Sequence, residues 1–78
     1  IDLSKIKTKP IFKWIKKNNV SDKEMLNTFN CGVGFCLIAK RKNLTKIKSF
    51  FSNQFQPYEI GFISKNKKKI NLSNNIRW

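Results

Sequence analysis

The chain opens with Ile1 and Leu3 alternating against Asp2 and Ser4, which predicts a short strand or extended lead-in through Ile6. Pro10 then starts a helix, acceptable in the first turn because its missing N–H is not needed there. Ile11, Phe12, Trp14 and Ile15 supply an apolar face, and Lys13, Lys16 and Lys17 fall mostly off it. Asn18 and Asn19 end the helix, since Asn tolerates the left-handed closing conformation.

The next helix has the clearest start signal. Ser21-Asp22-Lys23-Glu24 is a capping box, in which the Ser21 hydroxyl accepts from the Glu24 N–H and the Glu24 carboxylate reaches back. Val20 before the cap and Met25 at the fourth helical position form a hydrophobic staple. Asp22 and Glu24 sit at the positive end of the helix dipole. Half of the chain's acids are thus accounted for structurally.

Asn30-Cys31-Gly32-Val33-Gly34 interrupts the helix and leads into the apolar run Phe35-Cys36-Leu37-Ile38-Ala39. Consecutive apolar positions predict a strand covered on both faces, hence a central one. Asn43 is a plausible N-cap for a third helix carrying Leu44, Ile47 and Phe51 at helical spacing. Pro57 breaks the chain, and Tyr58, Ile60 and Phe62 alternate as a further strand. Lys65 to Lys69 is a charged turn, followed by Ile70 and Leu72. The last two strands read as a hairpin kept from pairing further by its lysines. The expected fold is α/β (α+β), a small mixed sheet with helices packed on it in the order β-α-α-β-α-β-β. Residues 1–78 form a single domain or part of one.

Length and charge change that picture little. A domain of this size buries only about 60% of the surface its unfolded chain exposes, so its own core is marginal. The chain begins at Ile1 rather than Met, and is expected to be a fragment of something longer. Seventeen Lys and Arg against four acids give a formal charge of +13. That balance raises nucleic acid or an anionic membrane as a partner. The basic residues are 15 Lys and only 2 Arg, beside 10 Asn and 10 Ile, a profile that A/T-rich codons produce without selection for binding. Arg, the preferred phosphate and base ligand, is the scarce one. No aromatic is interleaved within Lys65-Asn66-Lys67-Lys68-Lys69, so no stacking platform is present there. No apolar stretch approaches the ~20 residues of a membrane-spanning helix.

Candidate chemistry is sparse. The chain has no His and two cysteines, too few ligands to close a tetrahedral zinc site. Cys31 and Cys36 are five apart, which places them on opposite faces of an extended segment and argues against a disulfide. One loop thiol and one core thiol are expected. The four acids include no pair suited to Mg²⁺. No catalytic residue is assigned, and the isolated chain is not expected to be active. The feature with functional character is Asn30 to Gly34. Its glycines let backbone approach a ligand, and successive N–H groups with the Asn30 amide could cradle an anion. The same glycines equally permit a bulge or close packing.

Phe12 and Trp14, Asn19-Val20, Glu24-Met25 and Thr28-Phe29-Asn30-Cys31-Gly32-Val33-Gly34 stand in an ordered, dense pattern. With Tyr58-Glu59-Ile60-Gly61 in the tail, it resembles the C-terminal domain of AIR synthetases, strongly before Lys40 and loosely after. Phe35 stands where that family usually has Met, and Leu26-Asn27 where a Tyr-Arg pair is common. The resemblance implies a purine-biosynthesis ligase that closes formylglycinamidine ribonucleotide to aminoimidazole ribonucleotide with ATP, releasing ADP and phosphate. It implies ATP and Mg²⁺ on an N-terminal domain, a homodimer when full length, and a cytoplasmic location. Substrate contact by Asn30, Gly32, Val33 and Gly34 is expected on the same ground. The alternative from composition is a small basic nucleic-acid-binding module.

Overall fold

A computed structural model of the chain describes residues 1–65, 67 and 69–78. Asn66 and Lys68, within the lysine turn expected from sequence, lie outside the described residues.

The helices form where local chemistry directs them. α1 spans Pro10–Lys16 with proline at its start. It closes through Asn18, whose side-chain amide donates to the Trp14 carbonyl at 2.9 Å, and Asn19 at φ 61°. α2 spans Asp22–Thr28, and both halves of its capping box are present. The Glu24 N–H donates to Ser21 Oγ at 3.2 Å, and the Ser21 N–H donates to Glu24 Oε2 at 3.0 Å. α3 spans Leu44–Ser49 and is entered through a 3₁₀ turn, Arg41–Asn43. Asn43 takes the N-cap position, but its side chain makes no capping hydrogen bond.

The core is small: Leu3, Ile6, Met25, Cys31 and Ile76 are buried, with Phe12, Ile15, Val20, Phe29 and Trp78 packed around them. Val20 packs against the cluster that contains Met25, in keeping with the expected staple. The apolar face of α1 divides. Phe12 and Ile15, three apart, turn to the core, while Ile11 and Trp14, the adjacent stripe, remain exposed.

The expected mixed sheet is not formed. Among the described residues there is no β-strand, only an isolated parallel bridge between Asp2 and Ser73. Each missing strand has its own reason. At the N-terminus the Asp2 carboxylate accepts from the Ser4 N–H at 3.0 Å and its hydroxyl at 2.7 Å, and Leu3–Lys5 becomes a 3₁₀ turn. A side chain that bonds its neighbouring backbone competes with strand pairing. Residues 34–39 make no backbone hydrogen bond among the described residues, so the run read as a central strand has no neighbour to pair with. The expected hairpin is replaced by a wedge. Ile1 to Leu3 enters between the two tail segments: the Asp2 N–H donates to the Ile60 carbonyl at 2.8 Å, the Leu3 N–H to Ser73 at 2.9 Å, and the Ser73 N–H back to Ile1 at 2.9 Å. These few rungs are too short a run to make a ladder.

The fold is flat, with extents of 41 × 36 × 17 Å and a radius of gyration of 14.1 Å. A compact domain of this length would have a radius near 11.5 Å, roughly, by chain-length scaling. No helix among the described residues is long and apolar enough to cross a membrane.

Candidate functional site

The loop from Asn30 to Gly34 is built as a tight turn. The Val33 N–H donates to the Asn30 carbonyl at 2.9 Å, and the central residues Cys31 and Gly32 have φ of 52° and 105°. Two positive φ values in succession are the sign pattern of a type I′ turn. The Asn30 side chain reinforces it: its Oδ1 accepts from the Gly32 N–H at 3.0 Å. Cys31, a non-glycine residue in the left-handed region, is held there by burial of its side chain. Its thiol lies 3.6 Å from the carbonyls of both Met25 and Phe29. Burial pushes that thiol's pKa up, and the negative charge of Asp22 adds to the effect.

The two glycines have different roles. A Cβ on Gly32 would come 2.8 Å from the Lys7 carbonyl oxygen, so this glycine is needed for the turn to pack on the backbone of Lys7 to Lys9. A Cβ on Gly34 would meet no atom within 4 Å. The close-packing reading thus holds for Gly32, and open backbone is found only at Gly34. The row of free N–H groups is also shorter than the sequence suggests, because those of Gly32 and Val33 are spent within the turn. Among the described residues, the Asn30 side-chain amide and the backbone N–H groups of Asn30, Cys31 and Gly34 are left without an acceptor.

Asn30, Gly32, Val33 and Gly34 are thus held together on one short loop, with Asn30 and Gly34 exposed and Gly32 and Val33 half-buried. Two clefts among the described residues lie away from this loop. One of about 320 Å³ is lined by Leu3, Leu26, Leu72 and Ile76 beside Asp22 and Asn27. A wider one of about 540 Å³ lies between Ile1, Phe62 and Ile70.

The carboxylates are individually engaged. Asp2 accepts from the Asn74 amide at 2.8 Å, and that bond, followed by those from Ser4, holds its pKa below the usual range. Asp22 pairs with Lys16 at 3.2 Å and accepts from Trp78 Nε1 at 2.9 Å. Glu24 is bonded by Ser21, backbone first and hydroxyl second, and its pKa is lowered accordingly. Glu59 lies 3.6 Å from Arg41. Among the described residues no group of three His, Cys, Asp or Glu could hold a metal ion. Both cysteines are free, and the buried one is the loop residue Cys31, whereas Cys36 in the apolar run is exposed. Sequence reading missed the clamp by which the tail, through Asn71, Ser73, Asn74 and Trp78, grips the N-terminus and α2. Its only signal was the polar cluster Asn71 to Asn75.

Residues 1–71 match the family described as AIR synthase related protein, C-terminal domain. The chain is 47% identical over 60 residues to a phosphoribosylformylglycinamidine cyclo-ligase of Methanococcus vannielii, covering 73% of the chain and 17% of the relative. It is 42% identical over 57 residues to the cyclo-ligase of Synechococcus elongatus, covering 72% and 17%. A trifunctional purine biosynthetic protein, adenosine-3, of Chironomus tentans is 39% identical over 56 residues, 69% of the chain and 4% of that protein. The chain thus spans about a sixth or less of the length of these relatives. No solved structure matches it.

Proposed function

Because the chain belongs to the family of AIR synthase related C-terminal domains, we propose that it is the C-terminal portion of a phosphoribosylformylglycinamidine cyclo-ligase. The intact enzyme closes formylglycinamidine ribonucleotide to aminoimidazole ribonucleotide at the expense of ATP. The observation that carries this reading is the family match across most of the chain, which includes both the capping-box helix and the Asn30–Gly34 loop.

Within that enzyme the chain is structural first. Its four carboxylates are separately bonded and do not converge, so the donor set does not fit Mg²⁺. The family resemblance implies ATP and Mg²⁺ on the N-terminal domain, and on this reading the 78 residues alone are not expected to turn over substrate. The N-terminal domain of the same polypeptide is the chain's partner, the full-length enzyme is a homodimer, and it works in the cytoplasm.

The loop is the chain's contribution to the substrate cleft. Asn30 offers its side-chain amide, Gly34 its open backbone, and Gly32 and Val33 hold the turn that presents them. Two donors on one rigid turn suit a phosphate or carbonyl oxygen. In the intact enzyme, Asn30→Ala is expected to raise KM for the ribonucleotide about tenfold, the loss of one hydrogen bond to a charged group. Unchanged kinetics at unchanged stability would remove Asn30 from the cleft.

A further inference from the structure

The accessible surface of the chain is 7070 Å². A folded monomer of 9.2 kDa exposes about 4,900 Å² by the mass scaling of globular proteins, which leaves an excess of roughly 2,100 Å². One side of a large obligate interface buries about 1,000–2,500 Å². The excess therefore has the size of a permanent contact rather than a transient one.

Part of it lies on the segment that follows the Asn30–Gly34 loop. Phe35 and Ile38 are 82% and 81% exposed, with Leu37 between them at 55%. Residues 34–39 also lack backbone hydrogen bonds among the described residues. A chain segment with apolar side chains and unpaired backbone in water is unfavourable on both counts. Lys40 and Lys42 follow immediately, both exposed, and give the run a cationic border.

We infer that residues 34–39 are the docking segment through which this chain is covered by the rest of its own enzyme. The covering surface is apolar at its centre and carries carboxylates where it faces Lys40 and Lys42. The inference rests on reading the chain as part of a cyclo-ligase. Two features favour this occupant over a second copy. Each copy carries +13, so two copies would meet with like charge. The matched relatives extend far beyond the matched stretch, 83% of their length lying outside it for a coverage of 17%.

Cys36 lies inside the segment and is exposed, whereas Cys31 is buried in the core. It serves as a reporter that needs no mutation. Amide exchange of residues 35–39 and maleimide labelling of Cys36 would be followed in the 78-residue chain and in the intact polypeptide that carries it. In the chain alone, these amides should exchange within about tenfold of an unstructured peptide, and Cys36 should label readily. In the intact protein both should slow by about 100-fold or more. Equal rates in the two would overturn the inference. Protection in the isolated chain that grows with its concentration would also overturn it, assigning the segment to a second copy. Cyclo-ligase turnover by the same intact preparation separates this from the functional reading. A protected but inactive protein sinks only the function, and an active but unprotected one sinks only the docking segment.

Discussion

Met25 is the residue on which the chain's own stability turns most. It is 0% exposed, lies on α2, and is surrounded by Leu3, Ile6, Cys31 and Ile76. Truncation by Met25→Ala removes three heavy atoms from a core that has few others to close the gap. Such changes in well-packed cores cost about 2–5 kcal/mol. A chain of 78 residues is expected to have roughly 4–12 kcal/mol of stability in total, at about 0.05–0.15 kcal/mol per residue. The surface excess puts this chain toward the lower end. A loss of about 3 kcal/mol would thus remove most of the margin. Urea titration followed by far-UV circular dichroism and tryptophan fluorescence measures it, with Phe35→Ala as the control. Phe35 is 82% exposed and should change the isolated chain by less than about 0.5 kcal/mol. A Met25→Ala cost below about 1 kcal/mol, or one equal to the control, would refute this account of the core.

Gly32→Ala should destabilise by about 2 kcal/mol, since a Cβ there meets the Lys7 carbonyl and φ is positive, whereas Gly34→Ala should be neutral to within about 0.5 kcal/mol. Equal effects in thermal melts would show that the two glycines are not divided as described. Ser21→Ala should cost about 1 kcal/mol through loss of the cap on α2, measured by the same urea titration. Acid should also destabilise. Asp2 and Glu24 are both held below their ordinary pKa values of 3.8 and 4.5 by hydrogen bonds to the charged form. Their contribution is complete above those values and is lost as pH falls through the lower folded-state pKa. Stability should therefore be level from pH 6 to 8, on the order of neutrality, and decline below about pH 4.5. Asp2→Asn with Glu24→Gln should flatten that decline, and an unchanged acid limb in the double variant would count against both hydrogen bonds.

What could be read from the sequence was governed by local chemistry. The proline start of α1, its Asn closure and the Ser21–Glu24 box are decided by groups within four residues of one another, and all three formed. The strands were a different matter. A run such as Phe35 to Ala39 states that it must be covered, but not by what, and among the described residues nothing pairs with its backbone. The Ile1–Leu3 wedge depends on contacts some 60 to 70 residues apart, among them Asp2 N–H to Ile60 and Ile1 to Asn71, which no periodicity encodes. The loop was legible as a backbone device. Which glycine serves packing and which stays open was not, because that depends on where Lys7 passes beneath the turn.

The most direct test of the central claim is turnover by a hybrid. Residues 1–71 of this chain would replace the matched stretch of an active phosphoribosylformylglycinamidine cyclo-ligase. Formation of aminoimidazole ribonucleotide would then be measured with and without ATP. ATP-dependent product from the hybrid is the predicted result. A hybrid that folds and binds ATP as its parent does, yet forms no product, would contradict it.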